Sequence, residues 1–215
     1  KVGSFNLGKA FINKDNPPKE FTIYNEGTTP VHITKLISPA YIKTEAPSIL
    51  NPKEKGIIKI VYDGKLRNQY GFVTDNVELQ TDDELMPLKS FPVYATLEEF
   101  FPVRTPAELP KASILSMAVN TIDITKLRLG SSTERHVVLK NTGKEELIIR
   151  ALQGNCPCIA ARVAAQKLKP GAETMLDIIF TAQGRAGTQQ KALTIYSTDP
   201  QNPIQRIAIS ALVEE

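Results

Sequence analysis

Residues 21–27 read Phe-Thr-Ile-Tyr-Asn-Glu-Gly, and residues 137–143 read Val-Val-Leu-Lys-Asn-Thr-Gly. In both stretches apolar residues lead into Asn-x-Gly, and a second apolar segment follows. This order is typical of two β-strands joined by a turn, because apolar runs of this length suit strands and Asn-x-Gly suits a turn. Asn25 and Asn141 are about 116 residues apart, close to half of the 215-residue chain. The two stretches therefore indicate an internal repeat of a β-rich module.

Three more landmarks repeat in the same order and at nearly the same spacing. They are a proline turn before a strand (Leu50-Asn51-Pro52 and Leu168-Lys169-Pro170), a Thr-Asp pair after a strand (Thr81-Asp82 and Thr198-Asp199), and a closing alternating segment (91–97 and 207–213). Alternation places one face of a strand towards a core and the other towards solvent. We therefore predict two copies that are built in the same way from half-buried strands.

The predicted fold class is all-β, with two tandem immunoglobulin-like β-sandwich domains joined by a short Pro-rich linker. Fifteen prolines, twelve glycines and no tryptophan fit many short strands better than a helical bundle. The first copy is predicted over residues 1–98, the linker over 99–112 and the second copy over 113–215. Helix is expected to be scarce, since the best helical candidate, the alanine-rich run 159–168, is short.

Charge and hydropathy exclude some classes of function. The net charge is +3, and the basic residues are scattered among acidic ones, so nucleic acid is not an expected partner. No run of eighteen apolar residues is present, so no membrane-spanning helix is predicted. Because the sequence begins at Lys1 without an apolar signal core, we expect a mature form whose targeting segment is left out, and a lipid anchor before Lys1 would attach it peripherally to a membrane.

The second copy contains Asn155-Cys156-Pro157-Cys158-Ile159, which resembles a motif of a known family. Together with the order of strands and turns, it resembles a bacterial family of uncharacterised envelope proteins whose repeats carry Ser-Cys-Gly-Cys-Thr. The resemblance covers most of residues 123–213 and, more weakly, 5–97. It implies immunoglobulin-like domains akin to major-sperm-protein, cilium-associated (ASH and HYDIN) and PapD-like pilus-chaperone domains, often secreted or lipid-anchored in Bacteroides-type bacteria. The implied location is the periplasm or the cell surface, and no activity is implied.

Cys156 and Cys158 are the strongest candidates for chemistry, and three interpretations stay open. In an extended segment, residues two apart point to the same side, so the two thiols could act as a redox pair or hold one soft metal ion. The third interpretation is structural, either inert thiols in a loop or at a strand edge or a small disulfide. A zinc site normally needs two more Cys or His ligands, and His32 and His136 are distant in sequence. We therefore assign no metal site and no cofactor. We predict that Ser38-Pro39-Ala40 stands in the first copy where the second has the Cys pair.

No constellation typical of an enzyme is present, so a catalytic role is not expected. The main hypothesis is a non-catalytic interaction or scaffold protein of the bacterial cell envelope. It would bind a protein or glycan partner through loops at the ends of the sandwiches or through a strand edge. The alternatives are a thiol redox or soft-metal-handling protein and an envelope assembly chaperone. The candidate contact residues are Asn155, Cys156, Pro157, Cys158, Tyr41, Phe100 and Phe101.

Overall fold

A computed structural model describes residues 3–184 and 186–215 of the chain. The chain divides into two compact units, residues 1–100 and 101–215. Strands dominate both, which confirms the all-β class. Among the described residues, no helix is long and apolar enough to cross a membrane.

The first unit packs a five-stranded sheet against a three-stranded one. The strand order is β1-β8-β7-β3-β5 in the larger sheet and β2-β6-β4 in the smaller. Its elements are β1 (Phe5–Phe11), β2 (Lys19–Tyr24), β3 (Val31–Ile37), β4 (Ile42–Glu45), β5 (Ile49–Leu50), β6 (Lys55–Tyr62), helix α1 (Gly64–Arg67), β7 (Gly71–Thr81) and β8 (Leu88–Glu98).

The second unit repeats this plan and adds one strand to its smaller sheet. The orders are β10-β17-β16-β12-β14 and β13-β15-β11-β9. Its elements are a 3₁₀ turn (Leu109–Lys111), β9 (Leu115–Met117), β10 (Thr121–Arg128), β11 (Ser132–Asn141), β12 (Leu147–Gly154), β13 (Ile159–Val163), β14 (Lys167–Leu168), β15 (Glu173–Thr181), β16 (Gly187–Ser197) and β17 (Ile204–Glu214). The alanine-rich run 159–168, the best helical candidate in the sequence, forms β13 and β14 instead of a helix.

Each unit has its own apolar core between its two sheets. Alternation produces it: along β7, every second residue from Gly71 to Thr81 is buried. Both cores are closed at one edge by a parallel pair, β1 with β8 and β10 with β17. The other pairs within the units are antiparallel. Inside the stretch that the sequence indicates as a linker, Phe100 packs on the first unit and Ala112 is fully buried in the second.

Candidate functional site

The loop between β12 and β13 carries the predicted cysteine pair at one end of the second unit. The Sγ atoms of Cys156 and Cys158 form a disulfide, and the two Cα atoms are 5.1 Å apart. Cys158 is buried in the core, and Cys156 packs against the same core while staying partly exposed. Of the three interpretations of this pair, the small disulfide is the one present in the structure. It closes the loop over the end of the core.

Hydrogen bonds fix the same loop to neighbouring strands. The Asn155 backbone N–H donates to the Ala192 carbonyl at 3.0 Å, and the Asn155 Oδ1 accepts from the Ala192 N–H at 3.1 Å. On the far side of the disulfide, the Thr181 N–H donates to the Cys158 carbonyl at 2.9 Å. Asn155 and Pro157 remain exposed at the tip. The loop thus presents two exposed side chains on a backbone held in place at several points.

Removal of the disulfide is expected to weaken the second unit only modestly. A bridge that closes so short a loop restricts the unfolded chain little, so we expect Cys156→Ala with Cys158→Ala to lower the free energy of unfolding by about 1–3 kcal/mol. Urea titration of the double variant, with wild type in reductant as the matched control, measures the loss. Complete unfolding of the second unit in either sample would contradict this expectation.

Each of the two histidines contacts a carboxylate, His32 that of Asp82 and His136 that of Asp177. His136 Nδ1 lies 2.8 Å from Asp177 Oδ1, and Arg162 Nε donates to the other Asp177 carboxylate oxygen at 3.0 Å. These contacts hold the pKa of Asp177 below its usual value, first through His136 and then through Arg162. Glu134 lies beside them, and Glu134, His136 and Asp177 could face one ion. The Arg162 guanidinium already binds the Asp177 carboxylate. The charges of this cluster are therefore paired within an ion-pair network. Neither cysteine belongs to it.

The structure corrects which residues of the first unit correspond to the cysteines. The Asp63 N–H donates to the Tyr41 carbonyl as the Thr181 N–H does to that of Cys158. The Ile42 N–H donates to the Pro39 carbonyl, as the Ile159 N–H does to that of Cys156. Tyr41 therefore corresponds to Cys158 and Pro39 to Cys156. The sequence match to Ser38-Pro39-Ala40 was wrong by one residue, because apolar residues in a loop do not define its register.

Tyr41 belongs to a buried polar cluster in the first unit. Its hydroxyl donates to Asp75 Oδ1 at 2.7 Å, and the Tyr62 hydroxyl donates to Asp75 Oδ2 at 2.6 Å. The Arg67 guanidinium adds an ion pair, with Nη2 3.5 Å from Asp75 Oδ1, and lies 4.9 Å from the centre of the Tyr41 ring. Burial, followed by the bond to Asp75, raises the pKa of both tyrosines. The cluster holds both hydroxyls as donors.

Helix α1 explains how Arg67 reaches this cluster. Asp63 caps the helix by accepting the Leu66 N–H at 2.8 Å, and Asn68 ends it in a left-handed conformation with φ 48°. One turn is enough to direct Arg67 back over the end of the core. Sequence reasoning missed Asp75 and Arg67. A signal for Asp75 exists, since a carboxylate at an inward position of an alternating strand needs a partner.

Phe100 and Phe101, the predicted junction residues, are not part of either loop. The Phe100 ring meets the Phe11 ring edge-on with centroids 5.3 Å apart, and Lys14 Nζ lies 4.1 Å from its centre. Asn13 bonds to both the N–H and the carbonyl of Phe100. Phe101 is partly exposed and begins the second unit. The structure thus brings Asn155, Cys156, Pro157 and Cys158 together and places Tyr41 and Phe100 in separate contacts of the first unit.

A solved structure shares this fold at low sequence identity. A protein of unknown function from Porphyromonas gingivalis W83 is 16% identical, covers 97% of this chain and 96% of its own, and has a TM-score of 0.61. An ASH/PapD-like domain of human CEP192 (15% identity, 54% of this chain and 96% of its own, TM-score 0.41) and WR4, a C. elegans MSP family member (14%, 47% and 99%, 0.34), are less similar. We draw no argument from these two.

The comparison with curated proteins gave no match. One family model does match, over residues 115–213, and its description is "Protein of unknown function (DUF1573)". The match covers most of the second unit, the copy that carries the cysteine pair. It stays a prediction that such proteins carry a Cys-Gly-Cys motif in tandem repeats. The second unit is therefore similar to a family of proteins of unknown function.

Proposed function

We propose that this chain is a non-catalytic binding protein of the bacterial cell envelope. It binds a protein or glycan partner through sandwich-end loops or a strand edge. The observation that carries the proposal is the Asn155 to Cys158 loop, where a disulfide and strand contacts fix the backbone beneath two exposed side chains. A loop already held in one conformation loses little entropy when it binds, which favours recognition.

The envelope location is supported by the chemistry of the cysteine pair. A disulfide persists in an oxidising compartment such as the periplasm and is rare where cellular reductants act on thiols. The resemblance to secreted or lipid-anchored envelope proteins points the same way. The disulfide in this loop therefore supports an exported protein that binds its partner outside the cytoplasm.

Site-specific crosslinking tests the loop as a contact surface. A photoreactive side chain at Pro157 should give one specific adduct in the envelope fraction of the source bacterium. Lys144 is a matched control position, since it is exposed in the turn at the other end of β12. Excess wild-type protein should compete the adduct away, whereas excess Pro157→Arg variant should not. Equal labelling from both positions, or no adduct at Pro157, would count against the loop.

The thiol redox alternative has one observation in its favour, a small disulfide in which the residue Cys156 is partly exposed. Thiol titration separates it from the binding proposal. A binding protein should show no free thiol without reductant, two after reduction, and no catalysis of exchange on a model protein disulfide. Catalysed exchange that Cys156→Ala abolishes would favour the redox function. Metal analysis of the reduced protein tests the soft-metal version.

A further inference from the structure

The loop between β7 and β8 presents two apolar side chains to solvent at one end of the first unit. Leu85 is 97% exposed and Met86 is 51% exposed. Asp83 fixes the backbone beneath them, since its Oδ1 accepts the Leu85 N–H at 3.1 Å and the Met86 N–H at 3.4 Å. Lys89 Nζ donates to Asp83 Oδ2 at 2.6 Å and to the Met86 carbonyl at 2.7 Å. Leu85 and Met86 thus form an apolar tip on a loop that several hydrogen bonds hold in place.

The second unit builds the same loop without an apolar tip. Asp199 Oδ1 accepts the N–H groups of Gln201 at 2.9 Å and Asn202 at 3.1 Å, as Asp83 Oδ1 does for the tip residues of the first unit. Asp199 therefore corresponds to Asp83 and not, as the Thr-Asp pairs of the sequence predict, to Asp82. Because polar residues occupy the two tip positions on the same backbone, the fold itself does not require an apolar tip.

The tip position stays exposed even where another segment runs past the loop. In the second unit, residues 113–115 lie against it, and the Leu115 N–H donates to Asp199 Oδ2 at 3.0 Å. Gln201 and Asn202 are nevertheless exposed. The exposure of the apolar tip therefore does not depend on whether such a segment passes the loop of the first unit. An apolar side chain in this position is stabilised when a partner removes it from water.

The first unit also contains an apolar pocket of about 190 Å³, lined by residues of β1, of β6 and of the segment that leads into β2. Leu7, Ala10 and Ile60 contribute apolar atoms to its lining, and Lys9 and Lys19 line it as well. An engineered apolar cavity of about 150 Å³ takes up benzene, so this pocket has room for one leucine or methionine side chain. Because both lysines are exposed, the pocket combines an apolar interior with positive charge at the surface.

Hydrogen bonds hold the wall of the pocket in place. Asn16 Oδ1 accepts the Phe11 N–H at 2.7 Å, and Asn16 Nδ2 donates to the carbonyls of Phe11 at 2.9 Å and Tyr62 at 3.0 Å. These bonds join β1 to β6. In the second unit, β9 pairs with residues 139–141, which correspond to 23–25 of the first unit, so a strand in that place would not extend to the pocket. The pocket is therefore formed by the described residues and does not depend on a preceding strand.

The charges around the apolar tip and around the pocket are opposite. Residues 82–89 contain three acidic residues and one lysine, whereas residues 9–19 contain three lysines and one acidic residue. Glu84 beside the tip and Lys19 at the pocket are exposed, and neither has an ion pair among the described residues. Lys9 already pairs within its own chain. An acidic loop with an apolar tip is repelled by an anionic lipid surface and complements an apolar pocket bordered by lysine.

The tip and the pocket of one copy are too far apart to meet. The tip precedes Leu88, where β8 begins, whereas the pocket residue Phe11 lies opposite Glu98, where β8 ends. About ten residue steps along a strand span roughly 33 Å. A contact between tip and pocket therefore joins two copies of the chain.

We propose that the first unit of one copy inserts its apolar tip into the pocket of a second copy, with Leu85 in the apolar interior and Glu84 beside Lys19. This goes beyond the proposed function, because the partner is the chain itself. After the first contact one copy keeps a free pocket and the other a free tip, so further copies add head to tail. Because the two surfaces are small, the association is weak and reversible.

Sedimentation velocity of the full chain between about 10 µM and 1 mM tests the proposal. The weight-average mass of the wild type should rise with concentration. Leu85→Gln with Met86→Asn places the tip residues of the second unit on the same loop and should weaken association by about tenfold or more. Val103→Gln is the matched control, since Val103 is also a fully exposed apolar residue, and it should leave association unchanged.

A charge exchange identifies the two surfaces that meet. Glu84→Lys and Lys19→Glu should each weaken self-association by about threefold to tenfold, because each places like charges together at the contact. An equimolar mixture of the two variants should associate as the wild type does, since opposite charges then meet between unlike copies. Both residues are exposed, so both variants should stay folded, which circular dichroism checks.

Three results would overturn the proposal. A wild type that is monomeric throughout this range would exclude self-association. Association that Leu85→Gln with Met86→Asn leaves intact would mean that other surfaces meet, and charge variants that associate no better when mixed would exclude the pocket. The tip and pocket substitutions all lie in the first unit, so the Pro157 crosslinking experiment tests the proposed function separately.

Discussion

Replacing Asp75 with alanine is expected to lower the free energy of unfolding of the first unit by about 3–5 kcal/mol. The carboxylate is 9% exposed and accepts from both tyrosine hydroxyls while pairing with Arg67. Without it, a largely buried guanidinium and two hydroxyls lose their shared partner. The buried Arg67 Nε already lacks a hydrogen-bond partner, so the site has no spare acceptor to replace the lost one.

Thermal unfolding of the full chain measures this effect. The transition of the first unit should fall by more than about 10 °C, and that of the second unit should stay in place. Asp82→Ala is the matched control, since the Asp82 carboxylate also contacts a side chain of the same unit, that of His32, but is exposed. It should leave the transition nearly unchanged. Similar shifts for the two variants would contradict the special role of Asp75.

The same cluster makes the first unit sensitive to alkali. Burial and the bond to Asp75 raise the pKa of Tyr62 in the folded state above its value of about 10 in the unfolded chain. The contribution of Tyr62 to stability is therefore fully present below about pH 10 and decreases as the pH rises further. Tyr62→Phe should remove this part of the pH dependence.

Replacing Gly143 with alanine should strongly destabilise the second unit, whereas Gly27→Ala should affect the first unit little. The added methyl group at position 143 would lie 2.1 Å from the Ala112 carbonyl oxygen and 2.6 Å from the Ile114 nitrogen, both of them backbone atoms. Relief requires the β9 segment to move, so a loss of about 2–4 kcal/mol is expected. The atom nearest to a methyl group added at Gly27 belongs to a side chain and not to the backbone.

The matched pair of glycines compares the packing around two equivalent turns. Both glycines follow a buried asparagine by two residues and donate to its side chain, so the turn itself is the same in both variants. Urea unfolding that resolves the two units gives each loss separately. Equal losses in the two variants would contradict the difference in packing around the two glycines.

The repeat could be predicted from the sequence because both copies show the alternation of apolar and polar residues in strands and the same turn residues. Asn25 and Asn141 identify matching turns, and the structure gives both the same bonds to their following glycines. The loop at Tyr41 could not be placed in this way. Its correspondence to Cys158 depends on the hydrogen bonds of Ile42 and Asp63, which no local pattern encodes.

The candidate sites also differ in whether the sequence alone could predict them. Cys156 and Cys158 were conspicuous as the two cysteines of the chain, and their spacing allowed the disulfide among other arrangements. The cluster around Asp75 requires residues from three separate segments to meet.

Tyr41 in the first unit corresponds to Cys158 in the second. The two units therefore close the same end of their cores by different chemistry. One closure is a hydrogen-bonded salt cluster and the other is a covalent bond. Reductant is therefore expected to act on the second unit and to leave the first intact, while ionisation of Tyr62 is expected to affect the first and not the second. We expect two modules of the same architecture to respond to different features of their surroundings.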